Sequence, residues 1–200
     1  MGGKIILDLC GGTGSWSAPY KKAEYDVRII SLPEQDVRTY HPPKNVYGIL
    51  AAPPCTMFSL ARQNAKTPRD LKGAWEVVEH CLRIIKEADG EHAPLFGKTG
   101  KLKFWALENP VGILRRFMEK PNLTFHPYWY GDPYMKRTDL WGRFNAPKRS
   151  MVTLTEAQHY SSRKNLRTRL PKSTKEAGDD SSRRAMTPPR FAKAFFKANR

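Results

Sequence analysis

No apolar run in the chain is long enough to cross a membrane, since a spanning helix needs about 20 consecutive apolar residues. No secretory leader opens it; Met1-Gly2-Gly3-Lys4 runs straight into an apolar stretch, and the expected location is the cytoplasm. Cysteine is scarce. Cys10, Cys55 and Cys81 are an odd number without metal-ligand spacing, and the five histidines complete no zinc pattern. That argues against a disulfide framework or a metal site and for a reducing compartment. There is no Gly-Lys-Ser/Thr, which excludes the usual triphosphate-binding loop, and no strict Gly-x-Gly-x-x-Gly of the nicotinamide enzymes. Acids are few: 35 Lys+Arg stand against 19 Asp+Glu, a net charge of +16. The deficit is uneven. Residues 1–110 are near balance at +3, and residues 111–200 carry +13. So lopsided a chain points to a polyanion, nucleic acid above all, bound mainly by its second half. No internal repeat is visible, and 200 residues suggest one domain with a small appendage.

What is present reads as an α/β chain. Ile5 to Cys10 is an apolar run of strand length, followed at once by Gly11-Gly12-Thr13-Gly14-Ser15 and a short helix from Trp16 to Ala23. Strand, glycine turn and helix in that order open a nucleotide-binding unit, because glycines let the backbone approach a ligand closely. Asp26 to Leu32 is a second strand; at its end stand Ser31 and Leu32, with Glu34 and Asp36 the nearest acids. Val46 to Leu50 is a third, stopped by Pro53-Pro54, which presents Cys55 at a strand's carboxyl end. Thr67-Pro68-Arg69-Asp70 reads as a helix start with Thr67 capping, and Leu71, Ala74, Val78, Cys81, Ile85 and Ala88 mark one helical face. Cys81 on that stripe is a core residue. Residues 89–103 read as an exposed loop. Phe104 to Glu108 is a buried strand ending in Glu108-Asn109-Pro110. Tyr128 to Trp141 is expected to form strands broken at Gly131-Asp132-Pro133, and Thr187-Pro188-Pro189 to cap a last helix.

Four strand ends thus carry polar or glycine-rich residues, where open α/β sheets hold ligands. Together they resemble the DNA cytosine-5 methyltransferases. Leu7-Asp8-Leu9-Cys10-Gly11-Gly12-Thr13-Gly14 looks like that family's cofactor loop, Pro53-Pro54-Cys55 like its nucleophile motif, and Glu108-Asn109-Pro110 like its Glu-Asn-Val. Tyr134 to Gly142 occupies the place of its Gln-x-Arg-x-Arg strand. The likeness is nearest to the small members found in phages and prophages, where the host would be bacterial and the role restriction protection or a step towards a larger modification.

The resemblance implies a Rossmann-like fold using S-adenosylmethionine, acting on double-stranded DNA as a monomer. It implies Cys55 as nucleophile, Glu108 as general acid, and Lys136 and Arg137 as supports for the base or its phosphate. Asp8, Cys10, Gly11, Gly12, Thr13, Gly14, Ser15, Trp16, Leu32, Glu34, Asp36, Val37 and Pro53 would line the cofactor, with Asp36 accepting from the adenine amino group. Ser59, Arg62, Arg143, Arg163, Lys164, Arg167 and Arg169 are the expected DNA contacts. Residues 1–142 would be the catalytic core, 143–185 a short basic target-recognition segment, and 186–200 a helix packing back on the core. The acid expected at the end of strand two is replaced by Ser31, so ribose falls to Glu34, backbone or water. Three alternatives stay open: an RNA cytosine-5 methyltransferase, a donor modified from S-adenosylmethionine, and a catalytically silent DNA-binding relative.

Overall fold

The structure, a computed structural model, describes residues 3–62, 65–90, 92–97, 99–132, 136–150 and 186–200. Six strands form one sheet: β1 (Ile5–Leu9), β2 (Asp26–Ile30), β3 (Val46–Ala51), β4 (Phe104–Pro110), β5 (Leu123–Phe125) and β6 (Thr138–Arg143). They lie in the order β2-β1-β3-β4-β6-β5. The first four are parallel, and β6 and β5 add antiparallel strands at one side. The chain moves outward from β1 to β2, then returns past β1 to β3. The strand order therefore reverses between β1 and β3, and open sheets bind ligands beyond the carboxyl ends at such a point. This is the expected α/β, Rossmann-like arrangement.

Among the described residues three α-helices cover the sheet: α1 (Ala18–Lys22), α2 (Leu71–Asp89) and α3 (Pro189–Ala198). Side chains alternate along a strand, and here both faces are buried. Ile6, Leu50, Phe104, Ala106 and Leu140 meet Trp16, Tyr20, Phe191 and Phe195 from α3 and the region of α1. Leu7, Leu9, Ile49, Ala51, Trp105, Leu107 and Trp141 meet Val78, Cys81, Ile84 and Ile85 of α2. Burying each such large side chain stabilises the fold by about 1.5–3 kcal/mol. The largely apolar runs of the central strands β3 and β4 follow from having no solvent face, whereas the edge strand β2 keeps Arg28 and Ile29 exposed.

Helix boundaries depart from the sequence reading in two places. The cap of α2 is Asp70, which accepts from the Gly73 amide at 2.8 Å. Thr67 lies outside the helix and takes the Arg62 guanidinium on its hydroxyl at 2.5 Å. At α3, Thr187 makes no cap bond; instead Asp132 reaches in from a distant turn and accepts from the amides of Arg190 (3.3 Å) and Phe191 (3.0 Å). That inward turn of Asp132 also explains why no strand forms through 128–137 among the described residues. Pro127–Tyr130 is a single 3-10 turn closed by Gly131 in the left-handed region, and β6 starts at Thr138.

Arg143 ends β6 and belongs to the core. Its guanidinium grips both carboxylate oxygens of Asp89 at the end of α2 (2.6 and 2.8 Å) and the carbonyls of Leu102 (2.9 Å) and Thr99 (3.0 Å). Asp89 is buried and also accepts from the Leu102 amide, so the expected exposed loop is sewn to the sheet at both ends. The packed region runs past residue 142: Phe144 meets Phe195 at 5.6 Å, and Asn145 and Asn199 exchange hydrogen bonds at 2.8 and 3.0 Å. Ser150 leans on the Trp129 carbonyl at 3.4 Å, and the Thr187 amide donates to the Ser15 hydroxyl at 2.9 Å.

Candidate active site

The parallel strands align the ends of β1, β3 and β4 along one edge, and the antiparallel register sets Thr138 of β6 opposite Pro110. Cys55 therefore follows β3, Glu108 and Asn109 close β4, and Lys136 and Arg137 enter beside them. The turn after Pro53-Pro54 is built around Cys55 itself, whose carbonyl accepts from the amides of Phe58 (3.0 Å) and Ser59 (2.9 Å). Asn109 Nδ2 donates to the Pro53 carbonyl at 3.0 Å. Ser59 and Gly112 form an isolated bridge, and the Ile113 amide donates to the Phe58 carbonyl at 2.9 Å. A side chain at Gly112 would meet that carbonyl at 2.3 Å, which is why glycine stands there. Arg69 braces the same turn, donating to the carbonyls of Met57 and Ser59.

Glu108 and Lys136 stand 3.8 Å apart. Burial pushes the Glu108 carboxyl above its ordinary range, and Lys136 draws it part of the way back. Burial also raises the Cys55 thiol; Lys136 lowers it and Glu108 raises it. The three groups thus act on one another's charge. A carboxyl whose pKa is raised gives up its proton less readily to solvent and is suited to donate to a ring nitrogen, and a thiol beside an ammonium can be a nucleophile once its proton leaves.

The turn after β1 is shaped for close approach. Cys10 and Gly14 have positive φ (56° and 68°). Gly12 and Thr13 are exposed, and nothing lies within 4 Å of where a Gly12 side chain would project. Asp8 lies beneath, fully buried, accepting from Ser17 at 2.5 Å; its other oxygen has no partner. Burial pushes its pKa up to about 6 against that hydrogen bond. Past β2, Leu32 is 64% exposed, Glu34 is exposed, and Asp36 is held by Arg38 at 2.8–3.0 Å from its Nε and by the Arg38 amide at 2.9 Å.

No protein-family model matches the chain, and no curated protein matches it. Solved structures do. A methyltransferase of Entamoeba histolytica, EhMeth, is 13% identical with a TM-score of 0.43, covering 76% of this chain and 56% of its own. A DNMT2 mutant from Spodoptera frugiperda is 17% identical with a TM-score of 0.40, covering 74% and 54%. A DhpI–SAM–HEP complex is 16% identical with a TM-score of 0.26, covering 80% and 70%. The chain spans about half the length of the first two. The functional reading rests on the site's own geometry.

Not every expected residue reaches the site. Trp16 (2% exposed) and Val37 are packed in the core. Arg62 is occupied with Thr67 and the Pro68 carbonyl at 3.3 Å. Arg143 is withdrawn from the expected DNA contacts by Asp89, because a guanidinium gripping a buried carboxylate is not free for a phosphate. Tyr134, Met135, Arg163, Lys164, Arg167 and Arg169 lie outside the described residues. The sequence reading missed Arg69, a lone arginine without motif, and the Thr187 backbone at Ser15. Among the described residues no group of three or more His, Cys, Asp or Glu is placed to hold a metal, and no helix is long and apolar enough to cross a membrane.

Proposed function

We propose that the chain is a DNA cytosine-5 methyltransferase using S-adenosylmethionine. The observation that carries this is the meeting of Cys55 and Glu108 at the ends of β3 and β4, with Lys136 acting on both charges. The donor fits the residues beside them. The open backbone at Gly12 and Thr13 admits a ligand against the β1 turn, the exposed Leu32 offers apolar surface to adenine, and Asp36 keeps lone pairs for the adenine amino group. Glu34 or the backbone would take the ribose. S-adenosylmethionine supplies an electrophilic methyl group.

The residues of the chain supply the rest. C5 of cytosine is a poor nucleophile until C6 is attacked. Cys55, deprotonated, forms the S–C6 bond, and the C5=C6 electron pair becomes available at C5. Glu108 gives a proton to N3 and neutralises the charge that builds on the ring. After C5 is alkylated it loses its proton to solvent, the C5=C6 bond reforms, the thiolate leaves, and N3 returns its proton to Glu108. A paired base hides C5 and C6, so the cytosine must leave the duplex. The basic residues beyond 143 are the proposed duplex contacts, Arg163, Arg167 and Arg169 first among them.

Incubating the protein with duplex DNA and methyl-labelled donor tests the reading. DNA label at cytosine C5, and a covalent complex with 5-fluorocytosine duplex, are expected. No transfer to any DNA at saturating donor would refute it. The Ser31 replacement favours one second reading, an enlarged transferred group, and mass spectrometry of the modified base separates the two.

A further inference from the structure

The turn Pro127–Tyr130 gathers aromatic rings and unanswered positive charge. His126 stacks on Tyr128 with ring centroids 5.4 Å apart and planes at 29°, and meets Trp129 at 5.7 Å and 68°. Tyr128 and Trp129 meet at 6.2 Å, nearly perpendicular. All three are half-buried, so each keeps part of its surface in solvent. Three exposed arginines stand at this turn, two by the rings and one by Gly131. The Arg149 guanidinium carbon lies 3.6 Å from the centre of the Trp129 ring. Arg137 is near enough that, after burial, its charge helps hold the His126 pKa below the ordinary histidine range. Arg190 Nη1 comes within 2.7 Å of where a Gly131 side chain would begin.

Among the described residues, none of these three arginines has a carboxylate within ion-pair distance. Asp132 is 4% exposed and accepts from the amides of Arg190 and Phe191 at the start of α3; the Arg190 charge tempers the rise that burial gives its pKa, yet among the described residues the two form no ion pair. Like charges held together repel, and a site that tolerates this is matched to an outside anion. The flat guanidinium stacked on Trp129 is already oriented and forfeits little freedom when it takes a phosphate. Beside it, partly open rings offer faces on which a base can stack.

The surface adjoins the candidate active site. Arg137 follows Lys136, which stands 3.8 Å from Glu108, and the Arg137 carbonyl accepts from the Val111 amide just past β4. We propose that this turn seats the DNA strand flanking the extruded cytosine, with Arg137, Arg149 and Arg190 on its phosphates and Tyr128 and Trp129 against a neighbouring base or sugar. This rests on DNA being the substrate, and it gives the flanking strand a seat on the described fold in addition to the duplex contacts proposed for 151–185.

Fluorescence anisotropy with a cytosine-containing duplex, across a salt series, tests it. Arg149→Ala and Arg190→Ala should each weaken binding three- to tenfold and flatten the log–log salt slope by about 0.9 per phosphate lost. Donor affinity should be unchanged by calorimetry, and Lys22→Ala, exposed on α1, should leave the slope alone. Trp129→Leu should weaken binding with little change in slope, and Trp129→Phe should restore most of it. Wild-type affinity and slope in both arginine variants would overturn the proposal. So would losses confined to a duplex RNA of the same sequence. If wild type transfers methyl groups to DNA while the arginine variants bind normally, this inference alone fails. If DNA binds through these arginines and no methyl group is transferred, the proposed activity fails and the surface stands.

Discussion

Asn109 Nδ2 donates to the Pro53 carbonyl at 3.0 Å, joining the end of β4 to the turn that carries Cys55. Asn109 is fully buried and its own Oδ1 has no partner. Asn109→Ala strands a buried carbonyl, which costs about 1–3 kcal/mol, and releases the turn. A lowered melting temperature is expected, with kcat for methyl transfer down about ten- to a hundredfold, as misplacement by an ångström can do. Donor affinity by calorimetry should change less than kcat, since only Pro53 of the expected cofactor contacts is released and the β1 turn keeps its own bonds.

Cys55 must lose a proton to attack, and burial holds that proton on. The single-turnover rate should therefore climb with pH through the ordinary thiol range near 8.5 and beyond it. Lys136→Met removes the charge that pulls the thiol down, so the rising limb should move to higher pH; stopped-flow rates from pH 7 to 10 read this directly. Cys55→Ala should abolish both transfer and the 5-fluorocytosine adduct while leaving the fold intact.

Arg143→Ala should behave as a fold variant and not as a DNA-contact variant. It leaves Asp89 buried without its guanidinium, a loss of about 3–5 kcal/mol. Replacing the pair together, Asp89→Leu with Arg143→Met, should recover part of that in denaturant melts. In neither variant should the sequence of the modified sites change among molecules that fold.

The four parallel strands and the three motif-bearing ends were legible because each is local, whereas the short antiparallel strand Leu123–Phe125 was not. Ile5 to Gly14, Val46 to Cys55 and Phe104 to Pro110 contain both the apolar run and the residues that stop it. The stripe through Val78, Cys81 and Ile85 likewise needed only helical spacing. What escaped were partnerships across long separations. Arg143 looks like any basic residue until Asp89, 54 positions earlier, is brought beside it. Asp132 sits in a Gly-Asp-Pro string that reads as a turn, yet it serves a helix some 58 positions on. Thr67 and Asp70 both satisfy the rule for a helix cap, and local sequence cannot rank them; the Arg62 contact occupies one and leaves the other to the helix.

Asp8 gives a pH signature of its own. Its pKa of about 6 in the fold stands above the 3.8 of an open chain. Between those values the folded protein keeps a proton that the unfolded chain has lost. Its contribution to stability therefore falls as pH rises from about 4 through about 6, and is level above that. Asp8→Asn retains an acceptor for Ser17 and removes the buried charge. It should melt higher than wild type at pH 7.5, by the order of 1–3 kcal/mol, with the gap narrowing markedly by pH 4.5.

The chain leaves the described fold after Ser150, which leans on Trp129, and returns at Met186 just before Thr187 is tied to Ser15, while Asn145 and Asn199 clasp each other nearby. Both ends of the intervening stretch are thus moored to parts of the protein that would hold without it. Doubling the length of a chain between fixed points costs only about 0.6 kcal/mol. Changing the length of chain between these two anchors is therefore expected to disturb the sheet little. Under the proposed activity, target choice would shift with that stretch alone, leaving the chemistry at Cys55 untouched.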